Sequence, residues 1–470
     1  MKIMFNKALV FAVIVLFIGV GFVLNIRGDN QFFGITLYVG GSGAGNYSSI
    51  QDAIDDSDHG DTIFVYNGTY NESIFINKTI NLIGFDKDYT YIYGNNSDNV
   101  IYILANRVNI SGFTLHNNNS GTGININFNN NTIDDIKIYD TFLGVELSGN
   151  GNIISRSWIS FNDYGIELNG YKNSILDCDI ISNLHYSISF CNSFFNTIFN
   201  STINANEYGI IMSSANNILE NTIYGADYGL IGLFSIENNI SGNTIRDNEN
   251  GIYLCDNSGN NMISNNYIYH NYCFGISIAH SNNNSIEKNN ITNSFRIGKG
   301  IYLFESGKSS ITDNTIFSNE EGIKLDESYN SNIYLNNIFQ NDKGLCLKKS
   351  CENAIYWNKI TNNDAIGISL NNSNFNNVYS NDIKNNFYGI KLEESSSNNI
   401  YQNNFIKNSY RHANFYDSYT CWTSNFWNRG RIIYLIFGKI PFGPGNIPWI
   451  NIDYPASLME YTIPYHELVH

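Results

Sequence analysis

Asp163, His185, Glu207, Asp227 and Glu249 each lie two positions before the start of a recurring tetrad of the form G-I-x-L. If the tetrads are stacked strands, neighbours in this slot sit about one strand spacing apart, ~4.8 Å. Carboxylates that close raise one another's pKa unless a cation or solvent intervenes. Asp163, Glu207, Asp227 and Glu249 are therefore expected to form an acidic strip for Ca²⁺ or sugar hydroxyls. An acid/base pair is the further option, and a solvated edge on an acidic protein is the plainer one. Tyr164, Tyr186, Tyr208 and Tyr228 stand next in line. As a stacked column they offer flat platforms for sugar rings. Strand alternation instead points them inward or into a turn, where aromatic stacks hold a core together.

Two further groups have suitable chemistry. Glu146 and Glu167 share the outward tetrad slot on adjacent repeats. Glycosidases need two carboxylates about 5 Å apart for retention, or roughly 6.5–9.5 Å apart for inversion. Asp135, Arg156 and Asp177 share another outward slot, and an acid–base–acid row also suits a surface salt-bridge column. The eight histidines are scattered over distant repeats and form no cluster with Met or Cys, so the residues do not support copper. The seven cysteines are odd in number and lack C-x-x-C spacing, which indicates neither a disulfide framework nor a zinc site. Cys191 and Cys255 share a slot, but about three repeats separate them, too far for a bridge.

The repeat itself must position these groups. GVEL at Gly144, GIEL at Gly165, GIYL at Gly251, GIKL at Gly322 and GIKL at Gly389 recur about every 22 residues, each followed by N-x-I-x-x-N-x-I. A fixed period of this length marks a solenoid whose coils bury their apolar faces only by stacking. Alternation within each coil marks strands, with Ile166, Leu168, Ile175, Ile180, Ile252, Ile323 and Leu325 inside. The expectation is an all-β parallel β-helix of about fifteen coils, ~70–75 Å long at ~4.8 Å per coil. Asn221, Asn243, Asn266, Asn289, Asn314, Asn336, Asn358, Asn381 and Asn403 form a second column. Stacked amides can bond along the axis while each takes a turn conformation.

Composition agrees. Asn makes up roughly one residue in six, charged residues 14%, and the formal net charge is −16. No basic patch is visible, which argues against nucleic acid as a partner. N-x-S/T acceptor sites recur, for example at Asn67, Asn71, Asn109, Asn239 and Asn290. Residues 1–30 carry Lys2, Lys7 and an apolar run from Ala8 to Leu24, the layout of a signal peptide or an uncleaved membrane anchor. The body is thus expected outside the cytoplasm, extracellular or at the cell surface. Residues 31–47 form a Gly-rich leading segment. Residues 48–122 form an N-terminal cap with the first coils, 123–406 the repeats, and 407–470 a C-terminal cap. Ser49-Ile50-Gln51-Asp52 has the pattern of a capping box, opening a short helix with Ile50, Ala53 and Ile54 on one face.

GDTIFVYNGTYNESIFINKTINLIG from Gly60 and the G-I-x-L/N-x-I coils resemble the NosD-like right-handed parallel β-helix family, within the carbohydrate-binding and sugar-hydrolase group. The resemblance spans about residues 48–405. The stretch after Asn425, with Trp427, Pro448, Trp449 and Pro455, is similar to a module that follows such helices in mostly archaeal surface proteins. The resemblance implies a monomeric exported β-helix that binds a polysaccharide. It also raises three alternatives: a polysaccharide lyase, hydrolase or epimerase; an accessory factor for copper-enzyme assembly; and a structural spacer or adhesin. β-Helix lyases of this kind use acids with Ca²⁺ and a basic residue, types that Asp135, Arg156 and Asp177 supply.

Overall fold

The computed structural model describes residues 34–96, 99–292, 298–428, 433–442 and 445–464. The expected signal or anchor lies outside them. The described chain winds as a parallel β-solenoid of about 18 coils with about 22 residues per coil. One coil consists of Tyr164–Leu168, Ser174–Leu176 and Asp179–Asn183. Its three strands belong to three ladders, each pairing in parallel with the same strand one coil on. The tetrads make the first ladder and the N-x-I strands the second and third.

The core follows from alternation. Ile166, Leu168, Ile180, Ile252, Ile323 and Leu325 are fully buried, and Ile175 nearly so. The coil count exceeds the expected fifteen for a local reason. The first-ladder strands Ile74–Ile76 and Ile101–Ile103 precede the first tetrad, and Arg411–Tyr416, Cys421–Thr423 and Phe426–Trp427 continue the winding after the last. Pairing begins earlier still, within the Gly-rich leading segment, where Thr36–Val39 pairs with Thr62–Val65.

Each tetrad glycine marks a corner. A Cβ on Gly344 would sit 2.7 Å from the Gly367 carbonyl oxygen and 2.9 Å from a methyl of Ile360, so a side chain there would wedge the coils apart. The Asn column is buried as expected, but its turn conformation falls elsewhere. The left-handed residue is the one before each Asn: Leu335, Trp357, Ser380 and Gln402. The amide explains this. Asn358 Nδ2 donates to the carbonyls of Ile333 and Tyr356, and its backbone N–H donates to Asn381 Oδ1. The side chain thereby satisfies the corner, and a non-glycine neighbour absorbs the unusual angle. Two further buried Asn columns, exemplified by Asn353–Asn376–Asn398 and Asn341–Asn363–Asn386, do the same at the other corners. A serine column, Ser328–Ser350–Ser373–Ser395, accompanies them.

Helix α1, Ile50–Asp56, begins at N-cap Ser49, whose hydroxyl accepts the Asp52 N–H, and it buries Ile50, Ala53 and Ile54. The next coil clamps both its ends. Glu72 accepts the Ile50 and Gln51 N–H groups, each at 2.9 Å. Lys78 Nζ donates to the carbonyls of Ile54, Asp55 and Ser57. Opposite charges thus meet the two ends of the helix dipole. α1 packs on the Thr36–Val39, Thr62–Val65 and Ile74–Ile76 strands. Deleting residues 48–57 is expected to expose that apolar surface and its strand edges and to cause aggregation. Light scattering checks this, and a truncation that stays monomeric at high concentration refutes it.

At the other end, Tyr434–Phe442 and Gly445–Asp453 form an antiparallel hairpin over the last coil. Buried Asp453 accepts from Asn425 N–H and from Trp427 Nε1 (2.6 Å). Tyr434 stacks on Trp427 with ring centroids 4.1 Å apart. Trp427 is buried, whereas Trp449 stays exposed and does not join this seal.

Candidate functional site

The acidic slot is one register row. Tyr186 pairs with Tyr208, Tyr208 with Tyr228, and Tyr228 with Asn250, so the residues before them align as His185, Glu207, Asp227 and Glu249. Asp163 joins through the Ile166–Ile188 register, and the His185 N–H donates to its carbonyl at 2.9 Å. The row runs along the corner between the third and first ladders. Asp163 and Glu207 are half-buried, Asp227 and Glu249 exposed. His185 Nδ1 lies 3.1 Å from Glu207 Oε1, and the Cys273 thiol lies 3.6 Å from Glu249 Oε1. The row ends in an open groove of about 620 Å³ lined by Asp247, Asn248, Glu249, His270 and Tyr272. Asp247 pairs there with Arg246, which lies over the Tyr224 ring, and with His270.

Farther along the first ladder the acids carry lysine partners. Glu321 pairs with Lys324 and Lys343, and Asp326 with Lys348. Burial pushes the Glu321 carboxyl up, but the two lysines outweigh it and hold it below the usual range. In the strip, Glu207 instead meets His185, and Glu249 the Cys273 thiol.

The tyrosines do not point inward. Tyr164, Tyr186, Tyr208 and Tyr228 are half-exposed on the outer side of the first ladder. The reason is the corner: Gly165 and Ile166 are both buried, so alternation breaks at the glycine and Tyr164 falls outside. Tyr164 and Tyr186 lie 4.8 Å apart, tilted by 41°, and Tyr208 stacks on Tyr228 at 5.8 Å. The Tyr186 hydroxyl donates to Glu167 Oε2 at 3.1 Å. Burial first, and then the Glu167 charge, push this phenol well above its ordinary value. At neutral pH it is a donor, not a base.

Glu146 and Glu167 are direct register partners on adjacent coils. Asn125 Nδ2 donates to Glu146, and Asn169 Nδ2 donates to Glu167. Asp135, Arg156 and Asp177 do share a row, with left-handed backbone at the corner between the second and third ladders. Their side chains nevertheless take separate partners. Lys87 pairs with Asp135, Arg156 with Asp134, and Asn200 donates to Asp177. No Asp–Arg–Asp column forms.

Sequence reasoning missed an aromatic strip on the third ladder of the early coils. Tyr93 meets His116 at 5.1 Å, His116 meets Tyr139 at 5.0 Å, and Tyr139 meets Trp158 at 6.5 Å. The signal was present, since Y-I-Y, T-L-H, K-I-Y and W-I-S occupy one strand in successive coils. They precede or accompany the first tetrads, where the repeat is least regular.

Comparison with known proteins adds the following. A family model described as "Periplasmic copper-binding protein (NosD)" matches residues 274–447, and one described as "Right handed beta helix region" matches residues 211–316. No curated protein matches. Among solved structures, the periplasmic alginate epimerase AlgG is 16% identical over 80% of this chain and 83% of its own (TM-score 0.38). Alginate lyase from a Paenibacillus species is 15% identical over 58% and 99% (0.39). Bacteriophage phi29 gene product 12 is 13% identical over 84% and 71% (0.44). Among the described residues no three His, Cys, Asp or Glu side chains converge as a metal site, and the NosD match holds His280 and His412 on distant coils. No described helix is long and apolar enough to cross a membrane. The chain is thus an all-β parallel β-solenoid, part of which, residues 211–316, matches the right-handed β-helix model.

Proposed function

We propose that this protein is an exported or cell-surface β-helix that binds an extended polysaccharide along the corner between its third and first ladders. One observation carries the reading. Asp163, Glu207, Asp227 and Glu249 occupy a single register row beside half-exposed tyrosines and run into the Asp247–His270 groove. A coil spacing of ~4.8 Å is close to the repeat of an extended sugar chain, so successive carboxylates can accept from hydroxyls of successive residues. Tyrosine faces and edges supply the apolar contact such chains need. Calcium enters as a bridge between one strip carboxylate and ligand oxygens, because no three strip acids converge on one point.

Glu146 and Glu167 favour a second reading, catalysis. Adjacent-coil spacing matches the close carboxylate pair of a retaining glycosidase. Lysis or epimerisation would also need a base. Beside Glu167 the Tyr186 phenol keeps its proton, and Arg156, at the corner between the second and third ladders, is paired with Asp134.

The test is a glycan array on the purified protein, with and without Ca²⁺, beside a variant carrying Asp163→Asn, Glu207→Gln, Asp227→Asn and Glu249→Gln. Loss of glycan retention with little change in thermal unfolding is expected, since like charges that are exposed or half-exposed contribute little to stability. A variant that keeps every glycan the parent retains makes the row a solvated edge and the protein a structural rod. Release of reducing ends by the parent, abolished by Glu167→Gln, would establish the enzyme.

A further inference from the structure

The C-terminal hairpin seals the last coil with one face, and among the described residues its other face is bare. Its inner face carries Tyr434, stacked on Trp427, and fully buried Ile436. Alternation sends Ile433, Leu435, Phe437, Ile450, Ile452 and Tyr454 to the opposite side. Leu435 pairs across the hairpin with Ile452, and Phe437 with Ile450. All six are between 44% and 62% exposed. The described chain that follows, to residue 464, does not cover them. It turns back along the coil, with Ser457 N–H on the Asn425 carbonyl, Tyr461 N–H on Asn404 Oδ1 and Lys384 on Glu460.

A side chain of this size presents roughly 200 Å² when fully exposed, so six at about half exposure form a patch of roughly 600 Å². Contiguous apolar patches of that size mark interaction sites. We infer that the face docks onto the same face of a second copy, joining two solenoids end to end. Three observations favour this occupant. The six residues are all apolar, with Lys439 at the edge of the face, so the patch is complementary to itself, as a two-fold interface requires. Two such faces remove on the order of 1,200 Å² from water, at the lower bound of a specific interface. Among the described hairpin residues the charged side chains are Lys439 and the buried Asp453, and the chain carries −16 overall, which disfavours an anionic lipid surface. The two sheets would stack at ~10 Å, with Phe437 and Ile452 at the centre. This departs from the monomer expected from sequence.

The experiment is sedimentation velocity on the full chain over a hundredfold concentration range, with X-ray scattering for shape. The parent should shift from monomer to dimer on the order of micromolar concentration, as such an area allows, and its longest dimension should about double. Phe437→Lys should move the midpoint at least tenfold higher with unchanged thermal unfolding, because the residue is solvent-exposed. Ile452→Lys gives an independent second reading. A parent that stays monomeric throughout overturns the proposal. So does association that both variants retain, which would assign it to another segment. Co-flotation of the parent with neutral phosphatidylcholine vesicles, abolished by the same variants, would replace the second copy with a lipid surface.

Discussion

Replacing Ile323 with Asp should lower stability by about 4 kcal/mol or more, because it places a carboxylate in a dry interior with no partner. Ile323 is fully buried, lies in register between Ile301 and Leu345, and belongs to the continuous apolar column of the first ladder. Its immediate neighbours along the axis are apolar on both sides. The carboxylate could escape by protonation, which itself requires a strongly raised pKa and leaves an unsatisfied hydroxyl. The damage should spread, because each coil is held mainly by its two neighbours and a lost interface weakens both. Chemical denaturation with circular dichroism measures the loss. Wild-type-like unfolding would mean that the inward register of the tetrads is wrong. Asn332→Asp is the contrasting case: Asn332 is exposed, in register between Ser310 and Ala354, so the substitution should stay within about 0.5 kcal/mol of the parent.

The contrast shows why the fold was legible and much of the site was not. A solenoid repeats one decision many times. Misplacing Ile175 would also have misplaced Ile252 and Ile323, so the alternation checks itself along the chain. The capping helix was equally readable, since Ser49 and the Ile50/Ala53/Ile54 stripe are local signals. Row membership was readable too: Asp163 to Glu249 align as the tetrad spacing required. Side-chain direction at the corners was not. Asp135, Arg156 and Asp177 occupy one row with the same left-handed backbone, yet Asp135 meets Lys87, Arg156 meets Asp134, and Asp177 meets Asn200, the next member of the row. The tyrosines turned outward because the bend falls on the small residue beside them, a glycine or, after Tyr186, Ser187. Periodicity specifies which residues are neighbours along the axis, but the corner geometry decides which atoms meet. The clamp of α1 by Glu72 and Lys78 was hidden for the same reason, since it joins segments that no repeat relates.

Substituting Leu for Asn381 should cost about 3 kcal/mol or more, although it puts an apolar residue of similar size into a fully buried position. On hydrophobicity alone Leu should be favoured there. The hydrogen bonds decide otherwise. Asn381 Nδ2 donates to the carbonyls of Ile355 (2.8 Å) and Tyr379 (3.0 Å) and to Asn403 Oδ1 (2.9 Å). Its Oδ1 accepts the backbone N–H and the side-chain amide of Asn358, both at 3.0 Å. Leucine orphans at least one N–H and two carbonyls inside the coil, and each unmet buried group costs about 1–3 kcal/mol. Asn381→Asp should be worse still, because it sets a carboxylate against the same carbonyl oxygens. Asn206→Leu is the control, since Asn206 is exposed, and it should stay within about 0.5 kcal/mol of the parent. Denaturation midpoints compare the three. If Asn381→Leu unfolds like the control, the amide column contributes nothing to holding the coils, and the stability of the rod must come from its Ile and Leu stacks alone.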